Sequence, residues 1–278
     1  MSAHQGGYFV PQPSKWPVVG STALFLLASG FVMFLWGKSI GPVVSLIGFL
    51  ILVYMMFGWF GNVIGESEGH RYNDQVDASF RWSMSWFIFS EVMFFAAFFG
   101  ALFYARQMAV PWLGDIDNSL LWPGFKPVWP TAGPAAAQDL TPMHAWGIPA
   151  INTLILLTSG ATVTWAHWGL KKNARAQLIL GLFLTVALGI TFLCLQAYEY
   201  IEAPFSLKTG IYGATFFMLT GFHGFHVTIG TIMLIVILFR SMAGHFTADH
   251  HFAFEAVSWY WHFVDVVWLI LFVFVYWL

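Results

Sequence analysis

Residues 39–64, SIGPVVSLIGFLILVYMMFGWFGNVI, form an uninterrupted apolar run without a single Asp, Glu, Lys or Arg. A helix rises about 1.5 Å per residue, so about 20 mainly apolar residues are enough to cross a hydrocarbon layer about 30 Å thick. The apolar residues do not alternate with polar ones, as the strands of a membrane β-barrel require. The run therefore predicts a membrane-spanning helix.

Six further stretches of similar composition lie on either side of this run. We place the polar segment 65–80 in an ordered loop or short helix and the Pro-rich segment 107–146 in a long external loop. The chain is thus expected to be all-α, a single membrane domain over residues 1–278. The seven helices are predicted near residues 17–36, 39–64, 81–106, 147–168, 176–200, 209–239 and 254–278.

The composition of the whole chain favours the same class. Of its 278 residues 59% are apolar, and only 9% are charged, namely 11 Lys and Arg and 13 Asp and Glu; a typical soluble domain has about 25%. The mean hydropathy is +0.72. These values exclude a soluble enzyme, a disordered chain and a nucleic-acid-binding protein. The single cysteine, Cys194, excludes a disulfide framework and a cysteine-based metal site.

The distribution of Lys and Arg predicts how the helices are oriented, because cytoplasmic loops carry an excess of these residues. A cytoplasmic N-terminus places seven of them inside and four outside, so the C-terminus is expected on the outer, periplasmic side. The inner set is Lys15, Arg71, Arg81, Lys171, Lys172, Arg175 and Arg240, and the outer set is Lys38, Arg106, Lys126 and Lys208.

Two carboxylates are predicted to lie well inside the spans, where an unpartnered charge is strongly unfavourable. Glu91 lies in an aromatic part of the third helix and has no partner on its own helix face. We interpret it either as a proton-relay carboxyl or as a neutral acid that is hydrogen-bonded between helices. Asp265 follows His262 by three residues, so the two share a helical face and are expected to satisfy each other.

Two histidines, His223 and His226, lie three residues apart on the sixth helix. Neutral imidazoles suit iron or copper, but such a site needs further ligands, and His262 is the one deep candidate. Interhelical hydrogen bonds without a metal are the favoured interpretation. His167 is interpreted as an interfacial residue at the inner end of the fourth helix. Glu199 and Glu202 are interpreted as marking the outer end of the fifth.

A third group of polar residues is expected on the cytoplasmic face. Basic groups at this depth commonly hold lipid phosphates, although ordinary solvated side chains would give the same pattern. The members are Trp59, Glu66 and His70 around the end of the second helix, and Arg240 and His245 after the sixth. Imidazoles and carboxylates on the same face also suggest a proton-collecting surface, formed by His70, Asp74, Asp77, His245, Asp249, His250 and His251.

Several segments, in order along the chain, resemble the cytochrome c oxidase subunit III family. The resemblance runs from Trp16 to the last helix. It is carried by SEVMFF at 90–95, NT at 152–153, TWAH at 164–167, QAYEYIEAPF at 196–205, TGFHGFHV at 220–227 and WYWHFVDVVW at 259–268.

The resemblance implies an accessory subunit with seven helices in two bundles around a V-shaped lipid cleft. Helices I–II would occupy about residues 1–66 and helices III–VII about 67–278. It further implies no catalytic residue, metal or cofactor in this chain, with haem and copper held by partner subunits. The implied partners are subunit I by direct packing, subunit II, a small fourth subunit and bound phospholipids, but no nucleic acid.

The resemblance also gives roles to individual residues. Glu91 matches the family's buried carboxylate on helix III, in a subunit that is implied to support proton uptake. Gly61 and Gly65 stand where mitochondrial members tend to carry arginines, which shifts the expected lipid-phosphate contacts toward Arg240 and His245. Trp59, Glu66 and His70 complete the implied lipid contacts, and His223, His226, His262 and Asp265 are implied to be interhelical polar groups.

The long 107–146 loop and the absence of a presequence suggest a bacterial cytoplasmic membrane. One alternative is subunit III of a quinol oxidase. A proton-coupled transporter that uses Glu91 is a weaker alternative. It predicts inverted repeats and broken helices, and the sequence shows neither. A retinal-binding protein is excluded, since residues 254–278 contain no lysine.

Overall fold

We describe residue 9, residues 12–135 and residues 140–278 of a computed structural model of the chain. No strand occurs among these residues, and seven helices are long and apolar enough to cross a membrane. The predicted all-α class and the number of membrane helices are therefore confirmed. The helices are α1 (Trp16–Leu35), α2 (Gly41–Glu68), α3 (Asp74–Tyr104), α4 (Ile148–Lys171), α5 (Arg175–Glu202), α6 (Ile211–Ala243) and α7 (Phe252–Leu271).

Several helices extend beyond the predicted spans. The predicted loop over 65–80 is wrong in extent, because α2 continues to Glu68 and α3 begins at Asp74. Hydropathy marks where a helix leaves the hydrocarbon layer, whereas its backbone hydrogen bonds continue into the polar region. Asp74 and Asp77 lie in the first turn of α3, where a carboxylate interacts favourably with the helix N-terminus.

The connection between α3 and α4 is long and mostly irregular. The α3 span continues through a π-helical segment, Ala105–Ala109, to Trp112. One short helix, Ile116–Ser119, follows, and the remaining described residues before α4 form turns, bends and irregular segments. Residues 136–139 of the predicted external loop lie outside the described residues.

The chain divides into two compact units, Met1–Phe80 and Arg81–Leu278, which we call the first and second units. In the first unit α1 and α2 approach each other at glycines. A Cβ atom on Gly48 would lie 2.6 Å from the backbone nitrogen of Leu27, and one on Gly30 would lie 2.4 Å from that of Ser45. Only glycine permits such close backbone contact, which is a common way for membrane helices to pack.

The core of the second unit is aromatic. Trp261, Trp268 and Phe192 are fully buried, and the rings of Phe192 and Trp268 meet edge to face with their centroids 4.8 Å apart. The indole N–H groups of Trp261 and Trp268 donate to Ser159 and Thr153 on α4, each at 2.9 Å. These bonds join α7 to α4 and orient the two tryptophans that fill the space between helices.

Burial rises along the chain. In the most apolar 18-residue window of each helix, the buried share is 11% for α1, α2 and α3 but 56% for α7 with its π-helical continuation. The surfaces left exposed on the early helices are strongly apolar, with Trp36 and Phe57 as examples. Such surfaces are suited to lipid or to partner helices.

Candidate functional site

Glu91 on α3 is paired with His226 on α6. Oε2 of Glu91 lies 2.7 Å from Nε2 of His226, and Nδ1 of the same ring lies 2.7 Å from the Phe222 carbonyl oxygen. The sequence offered Glu91 no partner on its own helix, and the structure supplies one from another helix. Both residues belong to the second unit.

The hydrogen-bond geometry of this pair requires a proton between the two side chains. A carbonyl oxygen only accepts, so Nδ1 of His226 must donate to Phe222. One further proton must then lie between Nε2 and the Glu91 carboxyl. With that single proton, on nitrogen or on oxygen, the pair as a whole is electrically neutral.

Aromatic rings surround the pair. The His226 ring lies 4.9 Å from that of Phe95 and is stacked on Tyr260 at 6.4 Å, measured between centroids. The His226 side chain is 9% exposed and that of Glu91 is 22% exposed. Since these neighbours offer little solvation to a net charge, the environment favours the neutral pair. The Glu91 side chain remains partly accessible from the protein surface.

The other intramembrane histidines have separate partners. The His223 side chain is fully buried and its Nε2 donates to the Val264 carbonyl at 3.1 Å. His262 Nε2 lies 3.2 Å from the Thr164 hydroxyl. Three different partners therefore bind the rings of His223, His226 and His262. Among the described residues, these histidines do not form a common set of metal ligands.

The expected pairing of Asp265 with His262 is wrong. No hydrogen bond or ion pair joins them in the described part of the chain, and Oδ1 of Asp265 is buried without a partner. Both side chains instead face Gly160 on α4, where an added Cβ would lie 3.0 Å from Oδ2 and 3.5 Å from Nδ1 of His262. Sharing a helical face brings two side chains to the same neighbour without orienting them toward each other.

The lipid-contact residues expected around the end of the second helix lie in the first unit, with Trp59 and Glu66 on α2 itself and His70 just after it. Trp59 and His70 are exposed, and the Glu66 carboxylate accepts a hydrogen bond of 2.8 Å from the Tyr72 hydroxyl. Burial, followed by the hydrogen bond and the charge of Glu66, raises the pKa of Tyr72 above its ordinary value. The phenol therefore stays protonated and donates to the carboxylate.

The two remaining expected lipid contacts lie in the second unit, where α6 ends. Gly244 has a φ of +93°, and its N–H bonds to the Arg240 carbonyl, which terminates the helix. The guanidinium of Arg240 stacks over the Phe246 ring at 4.6 Å, and His245 is exposed between them in sequence. An exposed imidazole thus follows a half-buried arginine at the same helix end.

The sequence suggested that Glu199 lies at an exposed helix end, but in the structure this residue is buried. Its side chain is fully buried and accepts a hydrogen bond of 3.2 Å from Gln196, while its Oε1 has no partner among the described residues. The nearby cavity of about 270 Å³ is also lined by His144 and Glu202. The α5 helix extends beyond its predicted end, so packing around its last turn encloses a carboxyl that hydropathy assigned to the surface.

A second polar cluster was not predicted from the sequence. Glu255, in the first turn of α7, forms an ion pair with Arg81 of α3. His167, near the end of α4, and His251 lie close to the same carboxyl group. His251 is buried and so does not lie on an exposed proton-collecting surface. The i, i+4 spacing of His251 and Glu255 was the one signal in the sequence.

Comparison with known proteins gives a match over nearly the whole chain. The family model described as cytochrome c oxidase subunit III matches residues 6–278. The chain is 46% identical to "Cytochrome c oxidase subunit 3" of Prototheca wickerhamii, over 97% of this chain and 96% of that protein. Proteins of the same name from Latimeria chalumnae and Dugong dugon are 44% and 43% identical; these alignments cover 99% and 100% of this chain and 98% and 99% of theirs.

Proposed function

We propose a function from the premise that the chain belongs to the cytochrome c oxidase subunit III family. It is an accessory subunit of a cytochrome c oxidase, an oxidoreductase complex of the membrane. The full-length match to this family carries the assignment. Neither a quinol oxidase subunit nor a proton-coupled transporter is favoured by it.

We assign electron transfer and oxygen reduction to partner subunits that carry the haem and copper. In the part of the chain described, the intramembrane histidines bind a carbonyl, a hydroxyl and a carboxyl group of the protein itself. This chain would support the complex by packing against subunit I, with subunit II and a small fourth subunit as further partners. The apolar exposed faces of α1, α2 and α3 provide surface for such contacts.

The role of Glu91 and His226 would be to hold one proton close to the partly exposed side chain of Glu91 in the second unit. The proton can move between Oε2 and Nε2 over a 2.7 Å contact without changing the net charge of the site. Exchange of this proton with groups outside the pair requires a transient charged state, which the aromatic surroundings disfavour. The pair would therefore exchange protons slowly, through the partly exposed Glu91, and support proton uptake by the oxidase.

Lipid binding and orientation complete the proposal. Arg240 and His245 would contact phospholipid headgroups at the end of α6, and Trp59, Glu66 and His70 would do so at the end of α2. The excess of Lys and Arg on one set of helix ends supports a cytoplasmic N-terminus and a periplasmic C-terminus. We place the complex in a bacterial cytoplasmic membrane.

The test compares the purified complex with its Glu91→Gln variant in sealed vesicles. Proton uptake per electron and the number of turnovers before inactivation are measured, together with the haem spectrum and the subunit bands. We expect uptake to fall in Glu91→Gln but not in Ser90→Ala, which changes an exposed neighbour on the same helix. Unchanged uptake in Glu91→Gln would leave the pair a structural link only. A complex without haem would contradict the oxidase assignment itself.

A further inference from the structure

Three possible metal ligands converge in the second unit, outside the Glu91–His226 pair. Nε2 of His251 lies 3.3 Å from Oε1 of Glu255, and Nε2 of His167 lies 3.6 Å from the same oxygen. All three donor atoms lie within 4.8 Å of one another. Their side chains are 8%, 18% and 12% exposed for His251, His167 and Glu255.

The backbone contact of His251 sets the tautomer of its neutral ring. Nδ1 of its ring lies 3.1 Å from the Thr247 carbonyl oxygen, which only accepts, so Nδ1 carries the proton. A neutral His251 then presents the lone pair of Nε2 to a carboxylate oxygen. Neither this nitrogen nor Nε2 of His167 has a hydrogen-bond partner within the described residues. One cation placed between these two nitrogens and the carboxylate oxygen would satisfy all three.

A metal ion fits this arrangement better than a proton. In the Glu91–His226 pair a single proton joins two atoms at 2.7 Å, whereas here one oxygen faces two imidazoles at longer distances. Zinc binds imidazole nitrogen and carboxylate oxygen at about 2.0–2.1 Å, and two such ligands at a tetrahedral angle are about 3.3 Å apart. The separations of 3.3 and 3.6 Å agree with that spacing.

Neighbouring groups hold the ligands in position. The guanidinium of Arg81 pairs with Oε2 of Glu255 and leaves Oε1 directed at the imidazoles. The Thr247 carbonyl orients His251 through Nδ1, as outer partners commonly do for metal-binding histidines. The donor set of two imidazoles and one carboxylate favours zinc among the divalent ions and leaves one position for water.

We propose that His167, His251 and Glu255 bind one divalent transition-metal ion of the zinc class. The ion joins the end of α4 to the start of α7, and Arg81 extends this connection to α3. It acts as a structural link rather than in catalysis. The proposal replaces the sequence-based expectation that this chain binds no metal, and it stands independently of the proton role of Glu91.

The experiment uses the intact purified complex, treated with a chelator, incubated with Zn²⁺ and then desalted. Zinc is measured per copy of this chain by mass spectrometry, which separates it from iron and copper. We expect one zinc in the wild type and at least about tenfold weaker retention in His167→Gln and His251→Gln, because each removes a ligand. The matched control is His250→Gln, which changes the exposed neighbour of His251 and should retain the ion.

A second measurement does not depend on the variants. Zinc K-edge absorption of the reloaded wild-type complex should show two imidazole nitrogens and oxygen ligands at about 2.0–2.1 Å. If a variant complex does not assemble, this spectrum of the wild type tests the metal site by itself. A wild type that retains no zinc, a spectrum without imidazole, or equal loss in His250→Gln would overturn the proposal. Because zinc is counted per chain, these outcomes are distinct from a loss of haem, which bears on the oxidase assignment.

Discussion

His226 reaches Glu91 across two helices with Nε2 and Oε2 2.7 Å apart, while Nδ1 of the same ring is bound to the Phe222 carbonyl. One imidazole thus has both nitrogens satisfied, one within α6 and one on α3. Because Nδ1 donates to this carbonyl, Nε2 is the nitrogen with which the residue at position 91 must form a hydrogen bond.

Replacing Glu91 should separate the structural from the titrating function of this pair. In Glu91→Gln the amide N–H can donate to Nε2 of His226, so the hydrogen bond persists and stability should change by less than about 1 kcal/mol. In Glu91→Leu the nitrogen loses its partner, and we expect a loss of about 1–3 kcal/mol. Thermal denaturation of the purified complex measures both. Equal stability of the two variants would contradict the hydrogen bond.

The Trp261 indole should depend on the hydroxyl of Ser159. Ser159→Ala leaves a fully buried N–H without its acceptor at 2.9 Å. Hydrogen bonds between membrane helices contribute about 0.6–2 kcal/mol, and we expect a loss of that size. Thr158→Ala removes an exposed hydroxyl from the adjacent position and serves as the control. The measurement is denaturation in mixed micelles, and a Thr158→Ala effect as large as that of Ser159→Ala would refute the prediction.

Two glycines of α2 should respond differently to the same added methyl group. Gly48→Ala places a Cβ 2.6 Å from the Leu27 backbone, so α1 and α2 must separate, and we expect a loss of about 1–3 kcal/mol. A Cβ on Gly61 meets nothing within 4 Å. Gly61→Ala should therefore be neutral or favourable by up to about 1 kcal/mol. Protease resistance and thermal stability of the complex distinguish the two. Equal effects would contradict close packing at Gly48.

Tyr72 should stabilise the end of α2 through its hydrogen bond to Glu66. Its pKa is raised above the usual value, so the stabilising protonated form is complete below about pH 10 and is lost only above that. Tyr72→Phe should reduce stability by about 1 kcal/mol, and the difference from the wild type should stay constant between about pH 6 and 9. The exposed Tyr54 provides the control Tyr54→Phe. A difference that varies across this range would show that the phenol titrates within it.

Sequence predicted the helices better than the contacts between them. Apolar run length located all seven membrane helices, because spanning the hydrocarbon layer imposes a minimum length. The rotation of each helix about its axis leaves a weaker signal, since residues facing lipid and residues facing the core are both apolar. The contact of Glu91 with His226 therefore required the structure. The burial of Glu199 and the approach of His167 to Glu255 did so for the same reason.

The rise in burial from 11% of the α1 window to 56% of the α7 window has a consequence for how the sequence can change. Positions of α1 that face lipid need only remain apolar, so many aliphatic and aromatic residues should be interchangeable there. Around Trp261 and Trp268, shape and a hydrogen-bond donor are also required. Random mutagenesis should therefore recover functional variants far more often in α1 than in α7, and tolerance to substitution should fall from the first helix to the last.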